Sequence, residues 1–354
     1  MTKRENIIRV IRRTGGTHIP LSFHLSPALL DEFKKRHGSA DYEDFYGFDE
    51  RLINITPSRN KPDTRKYYEG RSLKPGTVFT DIGVAHEPGS VAHFTHIVSP
   101  LAGDATTLED VETYPLDDFD EPYRYEQVSG QVKELHERGL AVKALVGKVF
   151  EWGWHIRGME DLMTDFYTDP EKVHALLERL TCRNERVAAR LAADGVDIIM
   201  LGDDVGSQTG MMMSPESWRE FLKPRLARQI RAVKQVNPEA LVWYHSDGVI
   251  DPIIPELIEI GVDVLNPVQP ECMDPAALKK EYGDRLSFWG TIGTQTVLPF
   301  GTPDEVRDAV RRMIEQVGAG GGLVLAPSHL LEPEVSWENI QALVDACRDY
   351  GSLI

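Results

Sequence analysis

Short apolar runs alternate with helical segments from residue 136 onward, and this alternation constrains the fold more than any other feature of the sequence. The runs are AVKALVG (141–147), VDIIMLG (196–202), ALVWYHS (240–246), VDVLNP (262–267), LSFWG (286–290) and LVLAPS (323–328). Runs this short, apolar and rich in β-branched or aromatic residues are typical of strands buried on both faces of a parallel sheet. Helical segments at 169–195, 214–237 and 302–318 each begin with a capping residue followed by proline. The pattern therefore predicts repeated β/α units with right-handed crossovers.

The number of strands favours a closed barrel over an open sheet. HIPLSF (18–23) adds a seventh strand candidate, and no GxGxxG motif follows any of these strands, as a dinucleotide-binding fold would require. In residues 56–125, apolar and polar residues alternate more than in the apolar runs listed above, and a Glu-Pro-Gly turn is present. This pattern predicts an inserted antiparallel hairpin. We predict an α/β fold: a (β/α)8 TIM barrel as a single domain over 1–354. Its regular units occupy 136–354, and 1–135 form an N-terminal helical and hairpin elaboration that includes the first strand.

The composition limits which classes of binding partner and which cellular compartment the protein is expected to have. The formal net charge is -17, which argues against nucleic acid as a partner, because phosphate backbones select clustered Lys and Arg. Three widely spaced cysteines suit a reducing compartment better than a disulfide framework. The N-terminal MTKRENIIRVIRRTGG reads as an amphipathic helix rather than a signal peptide, and no apolar run approaches the ~18 residues of a membrane span. We therefore expect a cytoplasmic protein that does not enter a membrane.

Polar side chains at the ends of the predicted strands are candidates for a metal site, because barrel active sites form at the carboxyl ends of the strands. His245 and Asp247 are two residues apart at one strand end, and His329 follows another strand. Two residues that far apart on a strand point to the same side. Two histidines and one carboxylate with an open position are typical of catalytic zinc sites. The alternative is that a His and an Asp at a strand end only satisfy backbone groups of the loop.

Three further carboxylates are candidates for acid–base chemistry. Asp203 and Asp204 follow the second regular strand, and Glu151 lies between aromatic residues in FEWGWH. Burial would raise the pKa of such a carboxylate and suit it to act as a general acid. We predict catalytic roles for Glu151 and Asp204 and a substrate-binding role for Asp203. The alternatives are a helix cap or loop anchor for either aspartate, and an ion pair with Arg157 for Glu151.

Amide and aromatic side chains at the same strand ends are predicted to contact the substrate. The aromatic residues could equally pack the rim of the barrel, and that alternative stays open. The predicted substrate-binding residues, besides Asp203, are Gln208, Gln269, Gln295, Phe150, Trp152 and Trp289.

Four stretches in consistent order between residues 150 and 346 resemble the uroporphyrinogen decarboxylase superfamily, and within it the branch of cobalamin-dependent methyltransferases. They are FEWGWHIRGMEDLMTDFYTDPE, GDDVGSQTGMMMSPESWREFLKPRL, the long stretch from HSDGVIDPIIPEL to LPFGTPDEV, and GGGLVLAPSHLLEPEVSWENIQAL. The family fold is a (β/α)8 barrel. True decarboxylases of this family carry an Arg-Gln-Ala-Gly-Arg segment, whereas the corresponding region here reads GGTHIPLSFHLSPALLDEF, so porphyrinogen decarboxylation is disfavoured.

The resemblance also bears on the metal. The methyltransferase branch binds zinc through His-x-Cys-Gly and a later cysteine. Here the first motif is His245-Ser246-Asp247-Gly248, and the later cysteine falls at or next to His329. Asp and His remain competent zinc ligands, but they form a harder site than two thiolates, better suited to an ether, hydroxyl or amine than to a thiol.

The resemblance therefore implies a zinc-dependent methyltransferase. Zinc held by His245, Asp247 and His329 would bind the heteroatom of a small O- or N-methylated substrate. Glu151 or Asp204 would protonate the leaving atom or hold the fourth metal position. The methyl group would pass to or from the cobalt of a corrinoid carried by a partner protein, because this chain lacks an Asp-x-His-x-x-Gly stretch. The alternatives are a metal-free decarboxylase that uses Asp203 or Asp204, and a non-enzymatic ligand-binding barrel. A homodimer is compatible with the sequence, with the 56–125 region as a lid or a dimer surface.

Overall fold

Parallel strands form the central sheet of the protein, and helices surround it. The computed structural model describes residues 1–89 and 95–352. Within these ranges the strands are β1 (Glu50–Ile53), β2 (Val78–Phe79), β3 (Ala85–Pro88), β4 (Thr95–Val98), β5 (Ala141–Leu145), β6 (Ile198–Gly202), β7 (Leu241–His245), β8 (Val264–Asn266), β9 (Ser287–Ile292) and β10 (Leu323–Pro327).

The central sheet has seven parallel strands in the order β1-β5-β6-β7-β8-β9-β10. An eighth position beside β10 is occupied by the segment around Leu21, which makes a parallel bridge to Leu325. The sheet curls as in a TIM barrel, and the predicted α/β fold is confirmed. All six apolar runs of the regular region form strands at or within the predicted limits, except that β9 extends two residues further, to Ile292.

Two strand assignments differ from the sequence prediction. Residues 18–23 form isolated bridges instead of a regular strand, since Pro20 has no amide hydrogen to donate and the pairing with β10 is confined to its neighbourhood. The first strand of the sheet is instead β1, whose sequence Glu-Arg-Leu-Ile contains no apolar run. Glu50 is nevertheless 1% exposed, because an ion pair with Lys143 of β5 accompanies it into the interior.

The N-terminal helix closes one end of the barrel. Its capping box, formed by Thr2 and Glu5, fixes where the helix begins. Ile7 and Ile11 pack against interior side chains of the strands, including Leu241, Val264 and Val324. This end corresponds to the amino ends of the parallel strands, so the opposite end is the one that opens to ligands.

The helices follow the predicted pattern with local interruptions. The predicted helix 214–237 is divided at Leu222, and the helix predicted over 302–318 ends in a π-helical turn, Ile314–Gly318. No helix of the described residues is long and apolar enough to cross a membrane. The α-helices are α1 (Lys3–Ile11), α2 (Pro27–His37), α3 (Tyr42–Tyr46), α4 (Leu108–Thr113), α5 (Val128–Glu137), α6 (Phe150–Arg157), α7 (Met159–Thr168), α8 (Pro170–Ala193), α9 (Pro215–Phe221), α10 (Lys223–Val236), α11 (Ile254–Glu259), α12 (Pro275–Tyr282), α13 (Val297–Phe300), α14 (Pro303–Met313) and α15 (Trp337–Tyr350).

The predicted antiparallel insertion is present as a three-stranded sheet in the order β2-β3-β4. Glu87 and Pro88 of the predicted Glu-Pro-Gly turn belong to β3 rather than to a turn. Residues 90–94, which lie between β3 and β4 in the sequence, are outside the described residues.

Candidate metal centre and active site

His245 is the last residue of β7. One of its ring nitrogens is hydrogen-bonded to a neighbouring side chain, and the other can bind a ligand. Its Nδ1 lies 2.7 Å from the side-chain oxygen of Asn266, and the amide nitrogen of Asn266 donates to the carbonyl of Trp289 at 2.8 Å. Since that second bond orients the amide of Asn266, its oxygen must accept from Nδ1. When the ring is neutral, this contact leaves the lone pair on Nε2, the form in which histidine binds a metal.

Two carboxylates face this lone pair. Nε2 of His245 lies 3.3 Å from Oδ1 of Asp204 and 3.9 Å from Oδ2 of Asp247. Within the described ranges, ligand atoms of Asp204, His245 and Asp247 all lie within 4.8 Å of one another. Two carboxylates this close repel one another unless a cation or a proton lies between them. The arrangement is therefore suited to a divalent metal.

The two loops that carry these carboxylates are held together by close backbone packing. The amide of Val249 donates to the carbonyl of Ser207 at 2.8 Å, and the amide of Asp247 donates to Oδ1 of Asp204 at 2.8 Å. Gly206 and Gly248 lie where the loops meet: a Cβ on Gly206 would approach the carbonyl oxygen of Asp247 to 2.5 Å. Gly248 also has a φ of +78°, which favours glycine.

The two carboxylates differ in their electrostatics. Burial raises the pKa of Asp247, and the neighbouring Asp204 adds to that rise, while His245 opposes it. Burial acts in the same direction on Asp204, but the charges of His245 and Lys148 outweigh it and lower the pKa of Asp204. Asp204 therefore carries the more firmly ionised carboxylate of the pair.

Lys148 is a member of the site that the sequence prediction missed. Its ammonium pairs with the carboxylate of Glu151, which also accepts from the backbone amide of Asp204 at 3.3 Å. Burial alone would lower the pKa of Lys148, but Glu151 and the two aspartates raise it, so the lysine stays charged. Lys148 follows β5 directly, so its position at a strand end was the available signal. The alternative partner considered for Glu151, Arg157, instead binds Asp161 and Asp165.

Asp203 has a structural contact that its neighbour Asp204 lacks. Its carboxylate accepts from the backbone amides of Val149, at 2.9 Å, and Glu151, at 3.0 Å, and so anchors the beginning of α6. Burial and the nearby charge of Glu151 raise the pKa of Asp203 to about 7. The anchoring role that the sequence left open for Asp203 agrees with these contacts.

The cluster of Asp204, His245 and Asp247 lies between two cavities that share Ser328, His329 and Leu330. An inner cavity of about 300 Å³ occupies the barrel interior, and an outer cleft of about 520 Å³ opens above it. His245 and Trp289 line the inner cavity, while Asp247 lines the cleft. His329 also contributes to the lowering of the pKa of Asp204, which places it near the cluster, although it is not one of the three residues grouped within 4.8 Å.

The remaining predicted residues separate into two groups. Gln208, Gln269 and Gln295 all line the outer cleft, and Gln269 also accepts from the amide of Gly248 at 3.2 Å. The other group does not meet the cluster. Phe150 is fully buried and stacks on Phe166 in the core, and Trp152 lines a separate cavity of about 590 Å³ beneath the inserted sheet.

The sequence model of the uroporphyrinogen decarboxylase family matches residues 78–350 of this chain. Among curated proteins, the chain is 28% identical over 256 residues to a methylated-thiol–coenzyme M methyltransferase of Methanosarcina mazei, a match covering 71% of this chain and 65% of that protein. It is 32% identical over 156 residues to a methylcobamide:CoM methyltransferase of Methanosarcina barkeri, covering 44% and 42%. A uroporphyrinogen decarboxylase of Chlorobium phaeobacteroides is 29% identical over 187 residues, covering 52% and 50%.

These matches span between 42% and 65% of the length of the curated relatives. A solved structure described as a methyltransferase from Methanosarcina mazei superposes over 99% of both chains with a TM-score of 0.69 and 16% identity. At that identity the superposition establishes the shared fold alone. The relatives thus include both methyltransferases and decarboxylases.

Proposed function

Because the chain belongs to the uroporphyrinogen decarboxylase family, we propose that it is a zinc-dependent methyltransferase that acts with a separate corrinoid protein. It moves a methyl group between a small O- or N-methylated substrate and the cobalt of that protein. The observation that carries the proposal is the grouping of Nε2 of His245 with the carboxylates of Asp204 and Asp247 at the mouth of the barrel. The similarity to methyltransferases supports it.

The donor set fits a hard divalent cation. His245 and Asp247 would hold the metal, with Asp204 or His329 as the third ligand; the close grouping of Asp204 favours it over the His329 expected from the sequence. Imidazole and carboxylate ligands suit zinc, and they leave it harder than a two-thiolate site does. When bound, zinc would supply Lewis acidity toward the heteroatom that carries the methyl group.

The residues around the cluster orient ligands and handle protons. Asn266 fixes the tautomer and orientation of His245, as hydrogen-bond partners of metal-binding histidines commonly do. The Lys148–Glu151 pair places an ammonium and a carboxylate beside Asp204, where a proton can be held or delivered to a leaving oxygen or nitrogen. Trp243 and Trp289 line the inner cavity and exclude water from the substrate.

The test combines metal analysis with a transfer assay. Protein loaded with zinc is offered a panel of methyl ethers and methylamines together with free cob(I)alamin, which replaces the unidentified corrinoid protein, and methylcobalamin formation is followed by absorbance. We expect close to one zinc per chain, and at least a tenfold loss of zinc affinity in His245→Ala and Asp247→Ala, because each variant lacks a ligand. His37→Ala, an exposed histidine on α2, is the matched control and should bind zinc like the wild type.

Two outcomes would overturn the proposal. One is equal zinc affinity in the wild type, His245→Ala and Asp247→Ala. The other is decarboxylation of a porphyrinogen by the metal-free protein, which would assign the chain to the decarboxylase branch of its relatives. The backbone contacts of Asp203 count against that second outcome, because its carboxylate is already engaged by the amides of Val149 and Glu151.

A further inference from the structure

The barrel interior contains a buried ion pair that the proposed metal centre does not use. Nζ of Lys143, on β5, lies 3.0 Å from Oε1 of Glu50, on β1, and the two side chains are 4% and 1% exposed. TIM barrels usually fill this space with branched apolar side chains. A buried ion pair seldom stabilises a fold more than apolar residues of the same size, because desolvation offsets the attraction. Stability therefore does not explain why this pair is present.

One member of the pair borders the inner cavity, whereas Glu50 is not among the residues that line it. Lys143 lines that cavity together with Trp243, His245 and Trp289. The two tryptophan rings stand perpendicular, 6.5 Å apart, and the ring of Trp243 is parallel to that of His245 at 5.6 Å. The ammonium of Lys143 lies 5.0 Å from the centre of the Trp289 ring. A continuous series of contacts therefore leads from the metal cluster, along two aromatic walls, to the ion pair.

The cavity has room for one substituted ring. Its volume is about 300 Å³, whereas an apolar cavity of roughly 150 Å³ suffices to bind benzene. Planar aromatic walls favour a flat occupant, because aromatic rings prefer offset-stacked and edge-to-face contacts.

The ion pair has hydrogen-bonding capacity to spare. Oε1 of Glu50 accepts from Lys143 and from the hydroxyl of Ser22, at 2.7 Å, but the buried Oε2 has no partner among the described residues. The ammonium of Lys143 has three N–H donors, of which the bond to Glu50 uses one. Lys143 therefore brings unused donors to the cavity, while the charge of Glu50 beside it offsets its own.

We propose that Lys143 and Glu50 recognise the end of the substrate opposite its methylated heteroatom, and that this end is a hydroxyl group on a flat ring. A hydroxyl oxygen accepts a hydrogen bond from Lys143, the member of the pair that lines the cavity. A carboxylate would bring a second anion close to Glu50, and a methyl group would leave the donors of Lys143 unsatisfied. The inference rests on the proposed function only for the group at the metal end.

Binding of matched probes to the zinc-loaded protein, measured without any corrinoid by quenching of tryptophan fluorescence, tests the inference. The probes are 4-methoxyphenol, 4-methylanisole and 4-methoxybenzoate, which share the methyl ether and differ in the opposite group. We expect 4-methoxyphenol to bind at least tenfold more tightly than the other two. Equal affinities, or tighter binding of the methyl or carboxylate probe, would overturn the inference.

A double variant separates recognition from folding. Lys143→Met alone would leave Glu50 buried without its cation and could fail to fold, so Lys143→Met/Glu50→Leu removes both charges. We expect this variant to melt at or above the wild-type temperature and to bind the three probes without preference. Lys234→Met/Asp263→Leu removes an ion pair whose residues do not line the inner cavity, and it should keep the preference.

The readout also distinguishes this inference from the proposed function. A preference for 4-methoxyphenol that disappears in the Lys143/Glu50 variant supports the recognition role even if no methyl transfer is detected. A preference that persists in that variant contradicts the recognition role even if methyl transfer is observed.

Discussion

At the scale of single residues, the candidate site depends on side chains that touch the metal ligands as much as on the ligands themselves. Asn266 illustrates this, because it determines which nitrogen of His245 is free. The sequence prediction identified His245 and Asp247 from their spacing. It did not identify Asn266 or Lys148, since their roles arise from contacts between different strands. It assigned a catalytic role to Asp204 and a substrate-binding role to Asp203, but which of these adjacent carboxylates faces the histidine depends on how the backbone turns after β6.

Replacing Asn266 by leucine is expected to weaken zinc binding by about 10- to 100-fold, because Nδ1 of His245 loses the acceptor that fixes its tautomer and orientation. Competition with a chromogenic chelator measures the affinity. Asn266→Asp retains an acceptor oxygen and should bind zinc within a few fold of the wild type. Equal affinities in all three proteins would show that Asn266 does not position His245.

His155, on α6, provides a prediction on pH. Burial lowers its pKa to about 4, and the charges of His86 and Lys148 contribute, whereas the ordinary value is 6.5. Between these values the unfolded chain binds a proton that the folded protein does not, so stability falls as the pH is lowered from about 6.5 to about 4. The slope of stability against pH over this window should be smaller in His155→Gln than in the wild type.

Urea unfolding at pH 7 and at pH 4.5 measures this slope. His37→Gln, at an exposed position on α2, is the matched control and should retain the wild-type slope. If His155→Gln also retains it, other groups account for any acid destabilisation.

At the scale of elements, what could be predicted follows from how each strand is buried. The six regular strands are covered on both faces, so their apolar composition alone revealed them. β1 was missed because its interior position is occupied by Glu50, whose burial depends on Lys143 some ninety residues later. The region 18–23 has a strand-like composition, but Pro20 confines its pairing to isolated bridges. Local patterns therefore revealed elements stabilised by apolar burial and missed the strand stabilised by a long-range ion pair.

The contact between the loops after β6 and β7 is predicted to control the metal cluster. Gly248→Ala places a Cβ within 2.5 Å of the carbonyl oxygen of Ser207 at a φ of +78°, so the loops that carry Asp204 and Asp247 must move apart. We expect zinc affinity to fall at least tenfold while the far-ultraviolet circular dichroism is unchanged. Gly210→Ala, in the same loop as Gly206 but facing open space, is the matched control. Wild-type affinity in Gly248→Ala would mean that loop spacing does not determine metal binding.

At the scale of the whole molecule, the two ends of the barrel have different roles. Ile7 and Ile11 of α1 fill the amino end, so a ligand enters the inner cavity from the carboxyl end. At that end it passes the outer cleft and then the metal cluster before it reaches the aromatic walls and the ion pair. On the proposed function, this order would place the methylated heteroatom near the open end, where a partner protein can approach it, and the opposite end of the substrate deep in the barrel.

Zinc should stabilise the whole chain, because its ligands come from loops that follow β6 and β7 and converge only in the folded state. At a free zinc concentration a hundred times the dissociation constant, the expected gain is about 2.7 kcal/mol in the free energy of unfolding. The gain should be smaller at pH 5.5 than at pH 7.5, because metal ligands must lose their protons, and burial raises the pKa of Asp247. Thermal unfolding with zinc and with a chelator at both pH values measures the gain. Asp247→Ala should lose most of it, and an equal gain in that variant would place the stabilising zinc elsewhere on the protein.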